Sequence, residues 1–233
     1  MSPLIRRISL VLLLGFILFI FISSISDFST IYNDDGKLFY YANGFQDTGS
    51  YNYVTGIYLD YRLFDSIFEA AILLIAVAGV MLISEHSIDE KNATFMLDKQ
   101  KTPELFITFS RLLYPIMLLF GIYVIVNGHL SPGGGFQGGA IVATAILILY
   151  YIDITKTVNV HVVLTIEKIL FIVLVLTASL SYLTRGVLFT NFFRLDASLD
   201  QKAIFLTLMN ILIGAKVSLG LVAIFTAFLK EGR

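Results

Sequence analysis

Long apolar runs separated by short polar stretches set the pattern of this chain. Six runs approach the ~20 residues needed to cross ~30 Å of hydrocarbon: Ile8 to Ile25, Phe64 to Ile83, Phe106 to Val126, Phe136 to Ile152, Val162 to Leu183 and Ala203 to Leu229. They are continuously apolar rather than alternating, which predicts helices and not the strands of a membrane barrel. Three of them carry internal charge: Arg111 in the third, Glu167 and Lys168 in the fifth, Lys216 in the sixth. The pattern predicts an all-α integral membrane bundle of six transmembrane helices.

Composition sharpens that picture. Hydrophobic residues make up 57% of the 233 positions and charged ones 14%, against ~25% charged in soluble domains, so a water-soluble globule is excluded. A net charge of -1 provides no basic field for nucleic acid. With no cysteine and three histidines, the chain has no thiolate ligands, no disulfide and no evident metal site, and no cofactor is expected. If the amino terminus is cytoplasmic, eight Lys and Arg residues flank the spans inside (Arg6, Arg7, Lys91, Lys99, Lys101, Lys156, Lys230, Arg233) and four outside (Lys37, Arg185, Arg194, Lys202). The positive-inside rule therefore favours both termini in the cytoplasm of a multi-pass protein of the cell membrane.

The loops divide the chain into a two-helix module over residues 1–84, a charged linker over 85–104 containing Pro103, and a four-helix domain over 105–233. The outer loop of the first module is rich in tyrosine, suited to a small cap or the membrane interface. The first run has a second reading as a signal peptide, with Arg6 and Arg7 as its basic start and Ser24 and Ser26 before a cleavage point. Its length favours an uncleaved anchor.

The most distinctive string is Gly128-His129-Leu130-Ser131-Pro132 followed by Gly133, Gly134, Gly135, Phe136, Gln137, Gly138 and Gly139. Gly133, Gly135 and Gly138 spell a dinucleotide-type glycine motif, but no strand precedes it and an apolar span follows, so that reading fails. Gly134 with Gly138, and Gly135 with Gly139, form small-xxx-small pairs that let neighbouring backbones approach. Tight packing is one reading, and a broken element lining an ion path is the other. A hydrolase reading from Ser131 near His129 lacks an oriented acid.

Charges inside the spans carry the remaining chemistry. Arg62, Asp65 and Glu69 share a helix face. Glu69 lies ~8 Å into its span, where a carboxylate must be protonated, paired or hydrated. Lys216 lies about thirteen residues into the last run, near the bilayer centre, and requires a partner or a water cavity. For both, a proton or cation route and a structural ion pair are the competing roles. Glu167 is a weaker relay candidate, while Lys168 and Arg111 can reach the inner surface. His129 and His161 lie at span ends as hydrated side chains.

The string from Gly128 to Tyr150, together with the segment from Asn210 to Phe225 around Lys216, resembles the MnhB family, the B-type component of the Mrp-type multisubunit Na+/H+ antiporters, and its counterpart in membrane-bound hydrogenases. Residues 59–80 resemble the carboxy-terminal helices of the large A-type component, which form a separate small E-type component in the hydrogenases. Asp60, Arg62, Phe64, Asp65 and Glu69 match that pattern, with Ser66 in place of threonine and Phe68 where glycine is common. The resemblance implies a non-catalytic transport subunit whose partners are large antiporter-like and small membrane subunits, lipid, Na+ and H+. It adds weight to Glu69 and Lys216 in a candidate ion or proton path that also takes in Asp65 and Glu167, while Gly134, Gly135, Gly138 and Gly139 keep their helix-packing reading. Its alternative is the membrane arm of an energy-converting hydrogenase or sulfur reductase.

Overall fold

A computed structural model describes residues 3–26, 34–85, 103–152, 159–194 and 196–231. Two compact units result, residues 1–38 and 39–233. The first contains α1 (Pro3–Ser26), a largely apolar helix with Arg6 and Arg7 near its start. α2 (Asp35–Thr48) begins in it and ends in the second unit.

The second unit holds α3 (Tyr53–Gly56), a π-helical turn (Ile57–Tyr61), α4 (Leu63–Glu85), α5 (Glu104–Val126), α6 (Gly135–Ile152), α7 (Val160–Ser179), α8 (Ser181–Arg185) and α9 (Leu199–Glu231). Four helical stretches are long and apolar enough to cross a membrane: Leu63–Ser84, Glu104–Val126, Val160–Arg185 and Leu199–Phe228. The runs at 8–25 and 136–152 are helical too, with shorter apolar stretches of Val11–Ser23 and Gly135–Tyr150. The charged linker expected over 85–104 falls mostly outside the described residues. No strand occurs among the described residues, and the protein is an all-α, multi-pass membrane bundle.

α9 is the hub. It packs against α4, α5, α6 and α7, and 61% of its apolar stretch is buried, against 11–22% in the other three crossing helices. Its inward side chains Phe205, Leu206, Met209, Ile213 and Val217 meet Leu59, Leu63, Ile67 and Ala70 from the π turn and α4, and Leu174 and Ala178 from α7. Local chemistry fixes the helix starts and stops. Asn159 caps α7 by accepting from the His161 and Val162 amides at 3.1 and 3.4 Å, and Gly186 ends α8 in the left-handed conformation, at φ 70°.

The glycine string lets α6 approach two neighbours. A Cβ at Gly138 would lie 2.8 Å from the Gly121 carbonyl oxygen of α5 and closer still to Ile125. At Gly139 it would lie 2.7 Å from the Gly214 carbonyl oxygen of α9, and at Gly135 2.7 Å from that of Asn210. Adjacent glycines thus serve opposite contacts, because successive residues point ~100° apart. Gly134 leaves room for the Tyr58 hydroxyl.

Candidate functional site: a buried ion pair between α7 and α9

Lys216 and Glu167 are both fully buried, with Nζ and Oε1 2.9 Å apart. The lysine reaches the glutamate because α7 and α9 pack side by side, and Nζ also donates to the Ala70 carbonyl oxygen of α4 at 2.8 Å. Glu167 is less fully provided for. Neither carboxylate oxygen accepts a well-angled hydrogen bond among the described residues. Gly220 leaves space beside it, since a Cβ there would sit 3.3 Å from Oε1. In apolar surroundings such a pair is strongly held only when its remaining lone pairs are satisfied. Here one partner is anchored and the other has free acceptor capacity.

The remaining sequence-identified charges fall elsewhere. Arg62 and Asp65 form an exposed i, i+3 pair at 2.5 Å. Glu69 of α4 is exposed, as are Arg62 and Asp65, and stands next in sequence to the buried Ala70; no contact joins it to Lys216 among the described residues. Lys168, Arg111 and His161 are exposed. His129 is half-buried, with Nδ1 3.2 Å from Thr207 Oγ1, and burial lowers its pKa from the ordinary imidazole value. Ser131 donates back to the Asn127 carbonyl oxygen, a local loop bond. No cluster of metal-ligating side chains occurs among the described residues.

A second polar cluster, at the end of the bundle where α8 lies, was not singled out in the sequence. Asp60 is buried and accepts from the Asn191 amide at 2.9 Å, with Arg185 Nη1 3.9 Å away. Burial raises the Asp60 pKa, while the Asn191 hydrogen bond and the Arg185 charge oppose the shift. Asn191 donates to the Lys202 carbonyl oxygen, and Lys202, only 4% exposed, donates through Nζ to the Gln46 carbonyl oxygen at 2.9 Å. Nearby, Asn210 Oδ1 accepts from the Gly135 amide at 2.8 Å and from Tyr58 at 3.1 Å. Asn52 and Thr55 bond to the Gly128 carbonyl oxygen at 2.9 and 2.6 Å, tying the first module's loop to the glycine string. Its sequence signals were Asp60, which belongs to the pattern at residues 59–80, and the polar residues between the last two apolar runs, and neither indicated that they meet.

A family model described as a domain related to the MnhB subunit of Na+/H+ antiporter matches residues 105–223. The B component of a Na+/H+ antiporter from Bacillus subtilis is 41% identical over 64 residues, which are 27% of this chain and 45% of that protein. An uncharacterized protein of Methanocaldococcus jannaschii is 30% identical over 112 residues, 42% of each chain. The matched stretches thus span less than half the length of these curated relatives. Among solved structures, a chain of an archaeal respiratory complex, the membrane-bound sulfane sulfur reductase, superposes with a TM-score of 0.67 at 28% identity, covering 97% of this chain and 98% of that one. A chain of the Mrp complex from Dietzia sp. DQ12-45-1b shares the fold at a TM-score of 0.57 and 22% identity, covering 94% of this chain and 26% of that one. Because the family model spans more than half of the 233 residues, and the buried lysine and the glycine string both lie within it, the chain belongs to the MnhB-related family.

Proposed function

We propose that this chain is a membrane subunit of a multisubunit monovalent cation (Na+)/proton antiporter, contributing to assembly of the complex and to its ion or proton path. The observation that carries this reading is the fully buried Lys216–Glu167 pair in the family's four-helix part, with carboxylate capacity left over. A buried ion pair retained for stability alone is a poor bargain, because well-packed apolar residues do as well or better. In this reading Lys216 and Glu167 hold charge in the bundle interior, while Asp65 and Glu69, on the exposed side of α4, meet the route where a neighbouring membrane subunit covers them. Gly134, Gly135, Gly138 and Gly139 set the helix spacing.

The chain has six membrane-spanning helices with both termini in the cytoplasm, in the order two-helix module, cytoplasmic linker, four-helix domain. Large antiporter-like subunits are its partners and supply most of the proton chemistry, and this chain serves as a transport subunit beside them. The test is Lys216→Met in the intact complex, assayed as Na+-dependent proton movement in inverted vesicles. We expect transport per assembled complex to fall roughly 100-fold, the scale of a positioned proton-transfer group, and the amount of complex to fall less than when an arginine is orphaned, because Glu167 can take up a proton once Lys216 is gone. Normal transport at normal assembly overturns the reading.

A second reading is favoured by one observation. The likeness to the sulfane sulfur reductase chain runs over nearly the whole of both chains, whereas the Mrp chain is matched over about a quarter of its length. It makes this chain part of the membrane arm of a redox-driven complex, where electron transfer elsewhere drives the same ion movement. Affinity purification from native membranes separates the two, since co-purifying iron–sulfur polypeptides are expected only in the second.

A further inference from the structure

Between α4 and α7 lies a cleft of about 330 Å³, lined by Ala78 and Met81 among other apolar residues of α4 and by His161, Leu164, Glu167 and Lys168 of α7. This volume accommodates several waters. His161 stands near the start of α7 and Glu167 six residues further on, so the cleft runs ~9 Å along the helix axis. Its polar residues are His161 at the α7 start and, six and seven residues further along, Glu167 and the exposed Lys168. On the other side of the ion pair the surroundings are dry: Leu63, Ile67, Leu174, Ala178, Met209 and Ile213 are buried together, and Lys216 Nζ is bonded to the Ala70 carbonyl oxygen. The carboxylate has no accessible surface, and its side chain forms part of the cleft wall, so proton uptake from the cleft requires a rotamer change that turns it away from Lys216.

We propose that this cleft is a one-sided water port through which protons reach Glu167 from the membrane face where α7 begins and α4 ends, the pair being sealed toward the opposite face by the apolar core. The inference rests on the reading of the pair as part of an ion path and specifies how it is reached. A hydronium ion in the cleft transfers its proton to the Glu167 carboxylate, leaving water and a neutral carboxylic acid. The Lys216 ammonium keeps its proton and its bond to Ala70, and as an unpaired cation it favours release of that proton again. The titratable groups facing Glu167 are Lys216 from α9 and, along the cleft, His161 and Lys168 of α7. α4 contributes an apolar wall.

The chain contains no cysteine, so single cysteines report on water directly. Leu164→Cys faces the cleft and Ile166→Cys, at nearly the same depth, faces outward, Ile166 being 43% exposed. Ala78→Cys, across the cleft, is the second reporter if Leu164→Cys assembles poorly. The intact complex in sealed vesicles is treated from one face with a membrane-impermeant trimethylammonium methanethiosulfonate, and the mass of this chain is read. Only a hydrated cysteine ionises to the reactive thiolate, so the cleft position should react at least ~10-fold faster than Ile166→Cys. It should do so only from the face where α7 begins, and labelling should lower coupled transport. Equal rates at the two positions, labelling from the opposite face, or unimpaired transport after labelling each overturn the proposal. If Lys216→Met transports normally while labelling is one-sided, the ion-path reading fails and a hydrated cleft remains. If labelling fails while Lys216→Met is inactive, only the port fails.

Discussion

The two charge clusters of this chain differ in how their carboxylates are held, although Arg185 Nη2 at the α8 end is itself buried without a hydrogen-bond partner. At the α8 end, Asp60 receives the Asn191 amide and has Arg185 beside it, while Lys202 is bonded to the Gln46 carbonyl oxygen. Each of these charges holds one chain segment to another: the π turn to the loop after α8, and α9 to the end of α2. In the bundle interior, Lys216 is anchored to backbone, while Glu167 has only the Lys216 ammonium, 2.9 Å from Oε1, and no backbone donor on either oxygen. A charge whose hydrogen bonds are spent on backbone groups stabilises one conformation. A charge with unused capacity retains alternatives, and alternatives are what a group that exchanges protons needs. Burial therefore does not by itself distinguish a structural charge from a functional one.

The sharpest way to break this comparison is Asp60→Ala. It leaves the Asn191 amide unpaired and Arg185 without its nearby carboxylate, and breaking a buried pair of this kind costs about 3–5 kcal/mol. Far less intact complex should be recovered from membranes, and its melting temperature should fall, while transport per assembled complex stays near normal. Lys216→Met is expected to give the converse result, so a similar phenotype for both variants would remove the distinction between the clusters.

A second substitution tests the scaffold on which the interior pair depends. Gly138→Leu drives a side chain into Gly121 and Ile125 of α5, and overpacking typically costs about 1–3 kcal/mol. Native gels should show loosened or missing subunits. Full assembly with altered ion dependence would instead place this string on the ion path.

The smallest effect concerns pH. Burial holds the His129 imidazole below its ordinary pKa, so in the pH range between the folded and unfolded values the unfolded chain binds more protons than the folded one. Stability contributed by neutral His129 is present above the ordinary value and is lost as pH falls through it toward the folded value. Thermal melting of the purified complex should therefore show a small acid destabilisation that His129→Gln reduces. An unchanged acid limb in the variant would mean that other groups produce it.

Much of the fold was legible because a membrane span is written in composition: five of the six apolar runs lie in single helices, and the fifth run continues from α7 into α8 across the turn at Leu180. The depth of Lys216 was legible for the same reason, as was its need for a partner. The partner's identity was not, because Glu167 meets it across two helices whose facing is a tertiary outcome. Lipid and protein interior are both apolar, so the residues of α7 carry little record of which side faces α9. That is also why Glu69 reads as comparable to Lys216 in sequence, although its side chain lies on the exposed side of α4. Lys202 and Arg185 counted as ordinary outer-loop cations. Lys202 is buried and Arg185 partly so because the segment after α8, with its own Asn191 buried, folds over the bundle end, and no periodic pattern encodes such a fold-over.

The adjacent glycines of α6 also impose an order on biosynthesis. Gly138 finds Gly121 as soon as the α5–α6 hairpin forms, because both belong to consecutive helices. Gly135 and Gly139 must wait for Asn210 and Gly214, which leave the ribosome about 75 residues later, roughly 4–15 s at ordinary rates of synthesis. During that interval α6, with the shorter apolar stretch of the two, is held by one neighbour and presents a bare, glycine-lined backbone to whatever lies beside it. α9 is thus the helix that closes the seam.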